Sequence, residues 1–181
     1  MLLIKGSVPP SELAGLETLL SRGLAESTDE GARLTVSGKA AADALFAADA
    51  DSLGETRGLE LLEQFHALDE RMKQIITAWQ IREVDGAQVL NDHADKTYDA
   101  KVLRDLAALN ADAAAWLGPL AEVGPRFLTY RERLTRAAEA ALTDVRYVAS
   151  PRVDSYHTVW FEMHEDLLCT LGLERGSEDE G

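Results

Sequence analysis

The sequence predicts a mainly helical protein, and three observations carry that expectation. Four long stretches repeat their apolar residues at alternating steps of three and four, the spacing of one buried helical face. Only residues 24–36 show two short apolar arms around a turn, T-D-E-G, so the strand content is expected to be one small hairpin. Composition is the third: 181 residues with 46% apolar side chains can bury a core, as one domain or as a small domain joined to a larger one.

At the start, residues 1–4 are apolar and K-G-S-V-P-P breaks them. From the candidate cap Ser11, Leu13, Leu16, Leu19, Leu20 and Leu24 recur at helical spacing, with Gly15 a weak point and Gly23 a stop. The hairpin follows and S-G-K at 37–39 closes it. An alanine-rich helix is expected over 40–48, with D-A-D-S-L-G at 49–54 as linker. Leu61, Phe65, Leu68, Met72, Ile75 and Trp79 then predict a helix over 59–82, closed by V-D-G at 84–86. After a polar loop at 90–95, Tyr98 opens a second helix that turns Val102, Leu106, Leu109, Ala113, Trp116 and Leu120 inward, and Gly118-Pro119 is expected to end or kink it. Gly124-Pro125 restarts the chain, and Phe127, Tyr130, Leu134, Ala137, Ala141 and Leu142 mark a third helix. Ser150-Pro151 introduces a fourth over 153–171, whose buried stripe is Val153, Tyr156, Trp160, Met163, Leu167 and Leu171, with Gly172 as its stop. These elements divide into a small domain at 1–53, an antiparallel four-helix bundle-like domain at 55–173 and a tail at 174–181 too acidic to fold by itself.

A formal charge of -14 opposes non-specific attraction to nucleic acid or anionic lipid, both of which need local positive potential. The single Cys169 excludes an intrachain disulfide and points to a reducing cytoplasm. With no charged-then-apolar leader and no apolar run near ~20 residues, neither a signal peptide nor a membrane span is expected.

Polar residues bordering the core are the candidates for chemistry. His66, Lys73 and Gln80 follow each other at seven-residue intervals beside the apolar seam; a solvated flank is the simpler reading, and Lys73 is the best anion-binding candidate. Asn91, Asp92, His93 and Asp95 form a dense polar loop in which Asp95 is placed to cap the Tyr98 helix. Along the fourth helix, Asp154, His157, Phe161, His164 and Leu168 form a second stripe that puts two imidazoles on one side, two turns apart. Were the 91–95 loop to fold over that helix, His93 would meet His157 and His164 near Glu162 or Glu165, nitrogen and oxygen ligands that a transition metal accepts. No spaced ligand motif of a zinc or di-iron protein is present, so no metal is assigned and no cofactor is expected. The candidate ligand-binding residues are therefore Lys73, Gln80, Asp92, His93, Asp95, His157, His164 and Glu165. A serine nucleophile elbow, a phosphate-binding glycine loop, a dinucleotide fingerprint and C-x-x-C are all lacking, and Cys169 is off-face from His164 and three turns from His157, so the chain is not expected to be an enzyme. Trp79, Trp116 and Trp160 fall in core register on separate helices, which suits packing better than an aromatic cage.

The order of helix, hairpin and helix, with L-x-x-x-G-L at 19–24 and L-T-x-x-G-K at 34–39, resembles the winged helix-turn-helix of the MarR type. This copy is shortened, because residues 1–15 leave little room for the helices that normally precede the recognition helix. Three further stretches extend the resemblance: F-H-A-L-D-E-R-M-K-Q-I-I-T-A-W-Q at 65–80, N-D-H-A-D-K-T-Y-D at 91–99 and D-S-Y-H-T-V-W-F-E-M-H-E-D-L-L-C-T-L-G at 154–172. Together they are similar to a bacterial family in which a MarR-like winged helix precedes a helical domain. It occurs as stand-alone transcriptional regulators and at the C-terminus of proteins related to pyruvate phosphate dikinase and other phosphoenolpyruvate-utilising enzymes. The resemblance implies a dimeric transcriptional regulator whose helical domain senses a ligand or dimerises, with Arg22, Arg33 and Lys39 as candidate DNA contacts. The alternative it implies, second to that, is a non-DNA-binding accessory module with a phosphoenolpyruvate-utilising enzyme as partner. DNA is opposed by charge, since residues 1–50 hold Lys5, Arg22, Arg33 and Lys39 against seven carboxylates. A weaker similarity, to the metal-binding helical domains of GntR-type regulators, keeps metal sensing as a further alternative. There Glu63 and His66 stand at i, i+3 where an Asp and His at i, i+4 are expected.

Overall fold

The computed structural model describes residues 15–173. The expected features at 1–14, including the Ser11 cap and Leu13, and the acidic tail at 174–181 lie outside the described residues. The described residues divide into two compact units, one of 15–55 with 164–173 and one of 56–163. Mainly helical architecture is observed, with two small antiparallel hairpins. Among the described residues, no helix is long and apolar enough to cross a membrane.

In the first unit a short helix α1, Leu16–Ser21, leads into β1, Ala25–Thr28, and β2, Gly31–Leu34, then helix α2, Val36–Leu53. Gly23 (φ 67°) reverses the chain after α1, donating to the Leu20 carbonyl while Leu24 donates to Leu19, a Schellman closure that only a residue tolerant of left-handed backbone makes cheaply. Strands β1 and β2 pair Ala25 with Leu34 and Thr28 with Gly31, so Ala25 and Ala32 sit buried beneath Leu16, Leu19 and Leu34. Thr35 caps α2: its hydroxyl accepts from the Gly38 amide at 3.1 Å and donates to the Gly23 carbonyl at 2.7 Å. The helix thus begins at Val36 rather than at 40, and it continues through the expected linker at 49–54 to Leu53. Nothing in A-D-A-D-S-L breaks a helix; only Gly54, at φ 76°, does.

Helix α3, Glu55–Gln80, buries Leu61, Phe65, Leu68, Met72, Ile75 and Trp79, the row that its periodicity predicts. It does not run on to Arg82. A second hairpin, absent from the sequence expectation, follows as β3, Ile81–Val84, and β4, Ala87–Leu90. Its turn residues Asp85 and Gly86 both have positive φ, 52° and 79°, the requirement of a two-residue type I′ turn. Helix α4, Lys96–Val123, carries Pro119 inside it and neither ends nor stops there. Proline costs a helix about 3 kcal/mol, and the burial of Trp116, Leu117 and Leu120 around it opposes that cost. Helix α5, Arg126–Ala141, a short α6, Arg146–Ala149, and α7, Tyr156–Leu171, complete the chain. Leu142, expected in the core, lies just past the end of α5 and is 66% exposed.

Within 56–163 four helices close a bundle. The Trp116 indole donates to the Leu61 carbonyl and Arg71 pairs with Asp112 at 2.7 Å, so α3 and α4 run antiparallel. Asn110 reaches Thr135 between α4 and α5, Arg133 joins α5 to Glu162 of α7, and Trp160 of α7 returns to Asp69 of α3. An aromatic spine, Tyr156–Trp160–Phe65–Trp116, runs through the middle with ring centroids 5.3–5.9 Å apart.

Candidate functional site

The elbow between α3 and α4 gathers most of the predicted loop residues. Asn91 is buried where β4 ends: its amide N–H donates to the Gln80 carbonyl at 2.8 Å and its side-chain NH2 to the Trp79 carbonyl at 3.1 Å and Asp99 Oδ1 at 2.9 Å. Its Oδ1 accepts the His93 amide at 3.2 Å, which holds His93 in left-handed backbone, φ 58°. The His93 ring lies 4.4 Å from Trp79, and its Nδ1 approaches Asp99 Oδ1 at 3.2 Å. Because both amide hydrogens of Asn91 already have acceptors, Nδ1 is best assigned as the donor to Asp99, leaving Nε2 with the lone pair. Burial raises the Asp99 carboxyl, but the hydrogen bonds from Asn91 and His93, with the Lys96 ammonium nearby, outweigh it and hold Asp99 below its ordinary range.

Around this knot the remaining loop residues have structural partners. Asp95 Oδ1 accepts the Thr97 and Tyr98 amides at 3.0 Å and so caps α4. Asp92 pairs with Arg82 at 3.1 Å and accepts the Ala94 amide, while Lys96 donates to the His93 carbonyl. Gln80 serves through its carbonyl, with its side chain exposed. These groups hold the second hairpin against the helix ends.

On the seam between α3 and α7 the hub is Asp69. Its Oδ1 accepts the Trp160 indole N–H at 2.8 Å and its Oδ2 pairs with Lys73 at 3.0 Å. Lys73 thus neutralises a buried carboxylate at its own i−4 position. His157 lies by the same carboxylate on the exposed rim of the seam, and the partial burial of its imidazole pushes it below the ordinary value while the Asp69 charge acts the other way. A histidine held below its unfolded value takes up its proton at lower pH in the fold than in the unfolded chain. Its contribution is present above about pH 6.5 and is lost as pH falls toward the folded value. The expected result is a urea midpoint that drops more for the native protein than for His157→Asn between about pH 7.5 and about pH 5.5; equal drops would remove His157 from the titration. Nearby, Tyr156 Oη and His66 Nε2 are buried without a hydrogen-bond partner, and burial pushes the Tyr156 phenol up, against the field of Arg71.

The third polar cluster has no counterpart in the sequence expectation. Arg133, 7% exposed, makes a two-pronged ion pair with Asp154 and a bond of 2.7 Å from Nη1 to Glu162 Oε2, with Glu162 itself only 3% exposed. Its guanidinium is raised above an already high value: burial opposes the charge, and the bonds to Asp154 and Glu162 overcome it. The signal was present in the register. Arg133 falls between Tyr130 and Ala137 on the buried face of α5, and Glu162 follows Val159 on that of α7, so opposite charges occupy core positions on two helices.

Among the described residues, no three His, Cys, Asp or Glu side chains gather to hold a metal ion. Within 56–163, His93 belongs to the elbow and His157 to the Asp69 seam. His164 and Glu165, beyond Met163 in the other unit, are buried and half-buried respectively. Of the three cations expected at a DNA groove, Arg22 and Lys39 are exposed, and Arg33 is bonded to Glu26 across the hairpin at 2.7 Å. No family model, no curated protein and no solved structure matches the chain.

Proposed function

We propose that the protein is a non-catalytic regulatory module that works through protein contact, the accessory role that its resemblance to phosphoenolpyruvate-utilising proteins suggests. The observation that carries this reading is the state of the first hairpin. Arg33 is paired with Glu26, the turn between the strands is Asp29-Glu30, and residues 15–55 hold three cations, Arg22, Arg33 and Lys39, against eight carboxylates. Phosphate contact supplies most of the affinity of groove-binding proteins, and this surface offers little to make it with. The polar clusters of the helical unit support the same reading, because Asp92, Asp95, Lys73 and Arg133 are engaged in holding elements together.

Transcriptional regulation through a MarR-like winged helix is the second reading. It is favoured by the helix–hairpin–helix order locked by Thr35, and by Arg22 and Lys39, which stand outside any ion pair among the described residues. A fluorescence-polarisation titration with promoter duplex at low salt separates the two. No binding is expected. Binding whose log K falls with log[salt], and that is lost in R22A/K39A, would reinstate DNA. Co-purification with a separately encoded phosphoenolpyruvate-utilising enzyme is the positive test, and failure to recover the pair would count against the accessory role.

A further inference from the structure

The second hairpin has one edge that is protected and one that is not. In a two-residue hairpin the residues flanking the turn exchange hydrogen bonds, and the bonded pairs alternate from there. Val84↔Ala87 and Arg82↔Val89 are therefore bonded pairs, continued by the Asn91 amide on the Gln80 carbonyl, and the outward-facing backbone groups belong to Ile81 and Glu83 on β3 and to Gln88 and Leu90 on β4. The β3 edge carries charge in Arg82 and Glu83, and its Ile81 carbonyl accepts a long bond from the Tyr98 hydroxyl. On β4, A-Q-V-L, there is no charge at all, all four residues are exposed, and Leu90 is 80% exposed. Uncharged, apolar edge strands are what native proteins ordinarily avoid unless they are paired.

We propose that β4 pairs antiparallel with β4 of a second copy of this chain. The strand is self-complementary in a single register. Setting Val89 opposite Val89 of the second copy on the two-fold axis makes Gln88 and Leu90 reciprocal partners, and the outward N–H and C=O of both residues are satisfied in each copy. Val84, Ala87 and Val89 share one face of the hairpin with Arg82, whose charge Asp92 meets, so pairing sets two small apolar strips side by side with the charged pairs outside them. Charge argues for a second copy at this edge in particular: each chain has net charge -14, the four residues of β4 carry none, and the Asp92 that comes toward the turn of the other copy is already met by Arg82. The Asn91 knot and the Arg82–Asp92 pair fix the base of the hairpin, so little ordering remains at association. Strands of four residues fall short of the ~1,200 Å² of a stable interface, so the association is expected to be weak and reversible.

Sedimentation equilibrium on the full chain from about 1 to about 300 μM is the measurement. The native protein is expected to show a monomer–dimer equilibrium. Gln88→Pro removes an outward N–H that the hairpin itself does not use, and Val89→Lys opposes two ammonium groups at the axis; each is expected to weaken association by at least about tenfold with unchanged circular dichroism. In a Cys169→Ser background, Val89→Cys is expected to form a disulfide-linked dimer in air, and Ala87→Cys, which faces residue 91 of the other copy, is not. A native protein that stays monomeric throughout, a dimer that survives both Gln88→Pro and Val89→Lys, or equal crosslinking at 87 and 89 would each overturn the pairing.

Discussion

Arg133→Ala is expected to destabilise the helical unit by about 3–5 kcal/mol, the range for removing one partner of a buried ion pair. Asp154 is half-exposed and can turn its carboxylate to water when the guanidinium goes, so it contributes little to the loss. Glu162 has no such escape. At 3% exposure its carboxylate loses the Nη1 bond and remains in a medium of low polarity. The charge itself is therefore the main cost, which gives a second expectation: Arg133→Met with Glu162→Leu should recover most of the stability, because two apolar side chains fill the site without leaving an ion behind. Urea unfolding followed by tryptophan fluorescence reads both, since Trp79, Trp116 and Trp160 are all buried within 56–163. A loss below about 1 kcal/mol in the single variant would mean that the cluster behaves like an exposed pair, and a double variant no better than the single one would mean that shape, not charge, is at stake.

That cluster shows where sequence reading succeeds and where it stops. The rows Leu61 to Trp79 and Val102 to Leu120 were legible because burial on one face of a helix is a local, periodic property. The first hairpin was legible from its turn. The second was hidden by the strength of the row before it: Ile81 extends the helical apolar pattern in kind, and Asp85-Gly86 reads as a helix stop unless I-R-E-V and A-Q-V-L are weighed as strands around a type I′ dipeptide. At 49–54, aspartates and a serine suggested a linker, but alanine propensity carried the helix to Leu53. Polar partners were the least legible. Asp69 and Trp160 are 91 residues apart and Arg133 and Glu162 are 29 apart, so no local window contains either pair. The polar density of the loop at 91–95 is legible in the sequence, and so is the Asp95 cap that the structure shows. Asn91, Asp92, His93 and Asp95 lie in one local window, whereas Arg82 and Asp99, which Asp92, Asn91 and His93 meet, lie outside it and come close only because the hairpin brings the two helix ends together.

Gly38→Ala should be as damaging to the first unit as Arg133→Ala is to the second. Gly38 is the third residue of α2, with its amide donating to the Thr35 hydroxyl, so φ and ψ are ordinary and the strain of the substitution is not conformational. The obstacle is space. A Cβ built at this position would stand 1.8 Å from the Leu24 carbonyl oxygen and 2.8 Å from its carbon, both backbone atoms, with Leu34 Cδ2 at 3.1 Å. A long side chain could swing aside, but a carbonyl cannot, and this one accepts the Thr35 amide at 3.1 Å, the bond that carries the chain from the hairpin into the cap. Relief therefore requires α2 to move off the Leu24 carbonyl and Leu34, which breaks the Thr35 cap and disturbs Leu34, one of the three leucines packed on Ala25 and Ala32, the only buried apolar residues among the described residues of 15–36. Overpacking against a rigid neighbour costs about 1–3 kcal/mol, and loss of a cap adds about 1. In so small a core a loss of that size is expected to open the hairpin locally. Amide exchange reads it directly: protection at Ala25–Thr28 and Gly31–Leu34 should collapse in Gly38→Ala. In Ser37→Ala, one position away and exposed, it should be kept. Retained protection in the alanine variant would mean that the helix is not seated on the Leu24 carbonyl.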